Sequence, residues 1–355
     1  PGLIYNDKLL ETKSNNFLAG INYGKGYTGI SLLDISTGEF YVSQGDDEYI
    51  DKVLQNFAPS EVVISRQKQK DFISKYGNDK YYINTFEDWV FKKDYTYNLL
   101  IEHFGVSSLK GYGIEDLEDG IISAGVVLHY LKETQHDKAS HICNIMRIDE
   151  RDYVWMDKFT IKNLEICNIA NEEGLTLLNV IDKTNTPMGG RLLKKWLLMP
   201  LKDKNKIDDR LNIVEYFVEH YDWAMTLVDR IKNIGDIERL LSRIVVNKVS
   251  PKDLLYLSRA LQEIGNIKKI IKEVEIFKHF EEQLNECESI IIRINKEIRE
   301  NAPAQIIKGG IINDGVSKEL DELRYLTNSS KEYLENIIDK EIKNTGITSL
   351  KLGFN

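Results

Sequence analysis

Cysteine is scarce, with three in 355 residues. Cys143, Cys167 and Cys287 are odd in number and far apart, which excludes a disulfide framework and fits reduced thiols in a cytoplasmic protein. All three are expected to be buried or inert. Long apolar runs are missing too. None approaches the roughly 18 residues that cross a bilayer, and residues 1–10 lack the basic region and apolar stretch of a signal peptide, so neither a membrane nor a secretory role is indicated. Positive charge is not in surplus. The net charge is −9, and the last 55 residues carry seven basic side chains (Lys308, Lys318, Arg324, Lys331, Lys340, Lys343, Lys351) against eight acidic ones. Neutralising phosphates takes clustered Lys and Arg, so contact with a nucleic acid is confined to a tip or turn, and the chain alone should bind duplex weakly or not at all. No Gly-x4-Gly-Lys-Ser/Thr string exists. The nearest candidate, residues 24–29, is followed by Ile30 and Ser31, without the lysine that reaches the β/γ-phosphates of a nucleotide.

The residues that are present fall into two patterns. Stretches 17–23, 27–35 and 39–43 alternate apolar and polar residues with β-branched or aromatic character, separated by the turn chemistry of Gly24-Lys25-Gly26 and Ser36-Thr37-Gly38. They predict an antiparallel meander. A helix over 50–57, a short buried strand over 61–65, a helix over 67–76 and a strand over 80–83 extend it into an α/β domain with a mixed sheet, closed by helices 95–104 and 117–134. In the last of these, Ser123-Ala124-Gly125 permits close packing. Beyond about residue 135 the pattern is helical, apart from a strand-like stretch near 153–156. Ile207, Leu211, Val214, Phe217 and Val218 form one stripe, and 254–271 and 277–299 read as long amphipathic segments. Pro303 stops the helix, 309–312 resembles a short strand before a turn at Asn313-Asp314-Gly315, and a final helix spans 317–343 with Gly346 beyond its end. The fold class expected is α/β plus all-α.

Two tempting motifs have plainer readings. Gly24-Lys25-Gly26-Tyr27-Thr28-Gly29 fits the dinucleotide fingerprint, but a strand follows where that chemistry needs a helix N-terminus, so a hairpin turn explains it better. His136, His141 and Cys143 lie within eight residues, yet no further His or Cys pair completes four ligands, and solvent-facing or capping histidines are expected. No catalytic, cofactor-binding or metal-binding residue is assigned.

The most informative stretch is 175–201. Leu177, Leu178 and Ile181 close one apolar face, and Asn185-Thr186-Pro187 interrupts it. Thr186 can cap the next helix and Pro187 suits its first position. Leu192, Leu193, Trp196 and Leu197 then line one side, with Arg191, Lys194 and Lys195 on the other. Together with the run 234–243, where Asp236, Glu238, Arg239 and Arg243 are placed for structural charge pairing, the segment Asp182-Lys183-Thr184, Thr186-Pro187-Met188-Gly189, Trp196 and Pro200-Leu201 resembles the core of DNA mismatch-recognition proteins of the MutS family. Further resemblances follow in order along the chain: Pro1-Gly2 and 33–40 to the connector domain, 163–166 to the entry of the helical core, and 319–323 and 345–355 to the opening of the clamp.

The resemblance implies an RNase H-like connector over 1–135, a helical core and lever over 136–300, and the lever end with the first part of a clamp over 301–355. It implies that a mismatch-binding domain would precede Pro1 and an ATPase domain would follow Asn355, making the chain a non-enzymatic fragment. In the full-length protein, ATP and Mg²⁺ would be the cofactors, and mismatched duplex DNA, MutL and a second copy of the chain the partners. By match to the clamp motif, Lys351 and Asn355 are candidates for contact with the DNA backbone. Nucleases of the RNase H-like fold hold metal on a first-strand aspartate, but Asp34 lacks converging carboxylates on clear buried strands, and a turn-capping role beside Ser36-Thr37-Gly38 is favoured. With a return helix missing, 277–299 is expected to self-associate or to be partly mobile. A free-standing MutS-like interaction scaffold acting outside mismatch repair is the alternative.

Overall fold

The computed structural model describes residues 2, 10–77, 79–134, 139–167 and 174–350. In chain order the elements are β1 (Leu18–Tyr23), β2 (Thr28–Asp34), β3 (Glu39–Gly45), α1 (Asp47–Phe57), β4 (Glu61–Ser65), α2 (Gln69–Tyr76), β5 (Tyr82–Phe86), α3 (Lys93–Phe104), α4 (Glu118–Glu133) and β6 (Met146–Arg147). Helices then follow almost without interruption: α5 (Lys158–Asn163), α6 (Leu177–Ile181), α7 (Pro187–Leu198), α8 (Lys204–Glu219), α9 (Tyr221–Ile231), α10 (Ile237–Val245), α11 (Pro251–Ile271), α12 (Lys278–Gln283), α13 (Glu288–Glu297) and α14 (Lys318–Thr345). An N-terminal mixed sheet followed by a mostly helical region is the α/β plus all-α architecture expected. The chain divides into two compact units, one comprising Pro1–Val249 and Arg259–Glu286, the other Ser250–Ser258 and Cys287–Asn355.

The sheet in the first unit runs β5-β4-β1-β2-β3-β6. β1, β2 and β3 form the antiparallel meander, while β4, β5 and β6 join in parallel. Neighbouring residues enter opposite cores, as the two-residue period of a strand requires. Leu18, Leu33 and Val63 pack with Ile121, Ala124 and Val127 of α4, whereas Ala19, Leu32 and Val62 pack with Val53 and Leu54 of α1 and Phe72 of α2. Because both faces are covered, all seven residues of β2 are buried, including the polar Thr28, Ser31 and Asp34. The alternation read from the sequence marks two interiors, not an interior and a surface.

Close packing is written into glycines. A Cβ at Gly125 of α4 would stand 2.3 Å from the Thr96 Cβ of α3, and one at Gly29 would meet the Asp119 carbonyl at 2.0 Å. The fingerprint-like glycines thus form a β1–β2 hairpin: the Gly24 amide donates to the Tyr27 carbonyl at 2.9 Å, Gly26 has φ +97°, and Gly29 admits the backbone of α4.

Several expectations fail in the helical part. The strand near 153–156 reduces to a single bridge, Tyr153 to Leu201, and the strand in this region is instead β6, paired to Tyr41 and Val42. On α8 the predicted stripe is shielded only in part, at the half-buried Ile207 and Phe217. Ile213, Tyr216 and Phe217 pack with Trp223, Leu227, Ile267 and Phe277, and Leu211, Val214 and Val218 are exposed. Rings decide this: Tyr216, Phe217 and Trp223 all lie within 5.6 Å of the Phe277 ring, and aromatic area outweighs aliphatic spacing. The segment 277–299 is not one helix. α12 stops at Gln283, its end tied down by Lys268 Nζ donating to the Leu284 carbonyl at 2.9 Å, and Cys287 at φ +49° precedes α13. Apolar spacing carries across such a break without registering it.

In the second unit, Ile298 and Ala302 pack with Leu255, and Ile298 bridges to Ile312. This bridge is the remnant of the strand expected at 309–312. Asn313 Nδ2 caps α13 by donating to the carbonyls of Asn295, Lys296 and Ile298. Arg299 and Arg324 converge on Asp314 at 2.5 and 2.6 Å and on the Ile312 carbonyl at 3.0 and 2.8 Å, anchoring the base of α14. Ser317 caps that helix, Glu319 and Asp321 occupy its first turn, and Gly346 ends it at φ +68°.

Candidate functional site

Polar chemistry concentrates where the chain segment leading into β1 passes between the sheet and the first core helices, all within the first unit. α7 begins as its sequence dictates, with Thr186 Oγ1 accepting from the Gly189 amide at 3.1 Å and Pro187 in the first turn. The face it buries differs from the prediction. Arg191 is 4% exposed, while Leu192 and Trp196 are about two-fifths exposed. A charge that deep needs partners. The Arg191 guanidinium donates twice to Asp236 at 2.8 Å, to Glu238 at 2.6 Å and to the Thr12 carbonyl at 2.9 Å. Asp236 also caps α10 by accepting from the Arg239 amide, which fixes the carboxylate where the fork meets it.

Residues 11–16 form a strap held from both sides. Arg239 Nη2 donates to the carbonyls of Glu11 and Ser14 at 3.0 and 2.7 Å. Lys13 Nζ reaches Asp182 at 2.9 Å and the Thr184 carbonyl at 3.2 Å, and Lys194 Nζ donates to Ser14 Oγ at 3.1 Å. On the sheet side, Asn15 Nδ2 donates to Asp34 at 2.9 Å and to Glu39 at 2.5 Å, and the Asn16 amide donates to Asp34 at 3.1 Å. Gly190 makes room for the crossing, since a Cβ there would lie 2.7 Å from the Lys13 side chain. Glu39 takes further donors from Lys195 Nζ at 3.1 Å and Tyr41 OH at 2.6 Å.

These contacts set protonation. Burial works to raise the Glu39 carboxyl, but the Lys195 charge and the hydrogen bonds from Tyr41, Lys195 and Asn15 hold it below the usual carboxylate range. Burial also opposes the charged Arg191, and the bonds to Asp236 and Glu238 overcome it and raise its pKa. Glu238 behaves differently: burial, with the nearby charges of Glu39 and Asp236, lifts its carboxyl even though Arg191 is bound. Asp236 is therefore the principal counter-charge and Glu238 the auxiliary.

Asp34 is a capping residue. Its fully buried carboxylate accepts from the Ser36 amide and hydroxyl at 2.9 and 2.7 Å as well as from Asn15 and Asn16, so both oxygens are committed to protein donors. His141 is not a solvent-facing side chain: it is half-buried, and its Nε2 lies 2.8 Å from the Ile35 carbonyl. Cys143 is exposed, and Cys167 and Cys287 are half-buried, so none of the three is fully buried. His136 lies outside the described residues, as do Lys351 and Asn355. Among the described residues no helix is long and apolar enough to cross a membrane.

The strap and the burial of Arg191 escaped the sequence reading. A signal was available in Gly189-Gly190: glycine is costly inside a helix, so its presence beside Arg191 implied a close approach by another part of the chain.

Comparison with known proteins agrees with this architecture. Residues 16–143 match the family description MutS domain II, and residues 159–347 match MutS domain III. The chain belongs to the MutS family. Among its relatives are the DNA mismatch repair protein MutS of Cytophaga hutchinsonii, 47% identical over 357 aligned residues, that of Flavobacterium psychrophilum, 46% identical, and that of Bacteroides fragilis, 45% identical. Each alignment covers 100% of this chain but only 42%, 41% and 41% of the relative, so the chain spans about two-fifths of the length of the curated relatives it matches.

Proposed function

We propose that this chain is the non-catalytic transmission part of a MutS-type mismatch-repair protein, with a connector over 1–135, a core and lever over 136–300, and the start of a clamp over 301–355. The observation that carries this reading is the strap. One six-residue segment is bonded to the sheet through Asp34 and Glu39 and to α7 and α10 through Arg191, Lys194 and Arg239, so displacement on either side must be taken up by the other or break charge-assisted bonds. In the full-length protein, mismatched duplex DNA, MutL and a second copy would be the partners, and ATP with Mg²⁺ would be handled by other domains. Lys351 and Asn355 are the proposed contacts to the DNA backbone, where a lysine meets a phosphate and an amide donates to one.

The test is made in the full-length natural protein. Arg191→Lys keeps the charge but loses the two-pronged fork. A relay predicts that mismatch binding and basal ATP hydrolysis, measured separately, persist, whereas ATP-triggered release from a mismatched duplex slows at least about tenfold, equivalent to about 1.4 kcal/mol of coupling. Release at the unaltered rate, in a variant whose strap amides exchange faster, would show that the junction transmits nothing.

A further inference from the structure

We draw no further inference here: the strongest candidate, the exposed apolar ridge of Leu211, Val214 and Val218 on α8 beside the Arg210 guanidinium stacked 3.5 Å over the Trp196 ring, carries nothing because nothing among the described residues shows what covers it.

Discussion

Replacing Arg191 by methionine tests the central structural claim, that a buried guanidinium fastens α7 to α10 and to the strap. Methionine keeps the length and most of the apolar stem of arginine, so the packing loss is small and the lost interactions are electrostatic. Removing one partner of a buried ion pair costs about 3–5 kcal/mol because the other charge is left in a poor solvent. The structure apportions that figure. The Asp236 side chain keeps only 18% exposure and receives the two-pronged bond, so it carries most of the cost. Glu238 is 41% exposed and can turn to water, which reduces its share to less than about 1 kcal/mol. A net destabilisation of about 3 kcal/mol is expected. The assay is a double-mutant cycle in urea with Asp236→Asn, chosen because asparagine also caps helices and spares the bond to the Arg239 amide. Arg191→Met and Asp236→Asn should couple by roughly 1.5–3 kcal/mol, the double variant being less destabilised than the sum of the singles. Amide exchange in residues 11–16 should quicken in Arg191→Met. A coupling below about 0.5 kcal/mol would refute the reasoning, since the charges would then be solvated independently despite their burial.

Other consequences follow from the same geometry. Gly29→Ala sets a methyl group against the Asp119 backbone of α4 and should destabilise by at least about 3 kcal/mol or prevent folding, whereas Gly26→Ala, which is strained by its φ of +97° but meets open space, should cost about 1 kcal/mol; similar urea midpoints for the two would contradict the packing described. His103 and His141 are held neutral chiefly by burial, each with a ring nitrogen 2.8 Å from a backbone carbonyl, and their pKa values lie below the ordinary value of 6.5. The unfolded chain therefore binds protons first, so their contribution is intact above about pH 6.5 and declines as pH falls from there through their depressed values. Urea midpoints between pH 7.5 and 5 should fall less steeply in His103→Gln, and an unchanged slope would remove His103 from the account. The ridge of Leu211, Val214 and Val218 stands exposed on α8, so sedimentation should show concentration-dependent association that Val214→Glu with Val218→Lys reduces; a monomer at all concentrations would show that the ridge is tolerated in water.

The sheet was legible because strand signals are local. Turn residues at 24–26 and 36–38 and the β-branched runs between them define the hairpins, and the small residues of α4 announced its approach to α3. The helical part was less legible for a definite reason: apolar spacing says which residues share a face, but not whether anything lies against it. On α8 the predicted stripe was geometrically sound, yet the ring cluster around Phe277 lies on the neighbouring face and took precedence. On α7 the error had the opposite origin. Arg191 falls with Lys194 and Lys195 on the side opposite the apolar residues, yet it is buried because Asp236 and Glu238, 45 and 47 residues further on, pair with it. Pairing at that separation has no periodicity. The strap compounds the difficulty, since Glu11, Thr12 and Ser14 contribute backbone carbonyls, which every residue possesses and no sequence pattern distinguishes. The glycine at 190 is where the hidden contact leaves a trace: a helix accepts the loss of a side chain there because Lys13 occupies the space. Gly190→Ala should therefore disturb the strap before it disturbs α7, raising amide exchange at residues 11–16 while the helix amides stay protected. The opposite order would mean that the glycine serves the helix alone, and that the strap rests on the junction without being fastened to it.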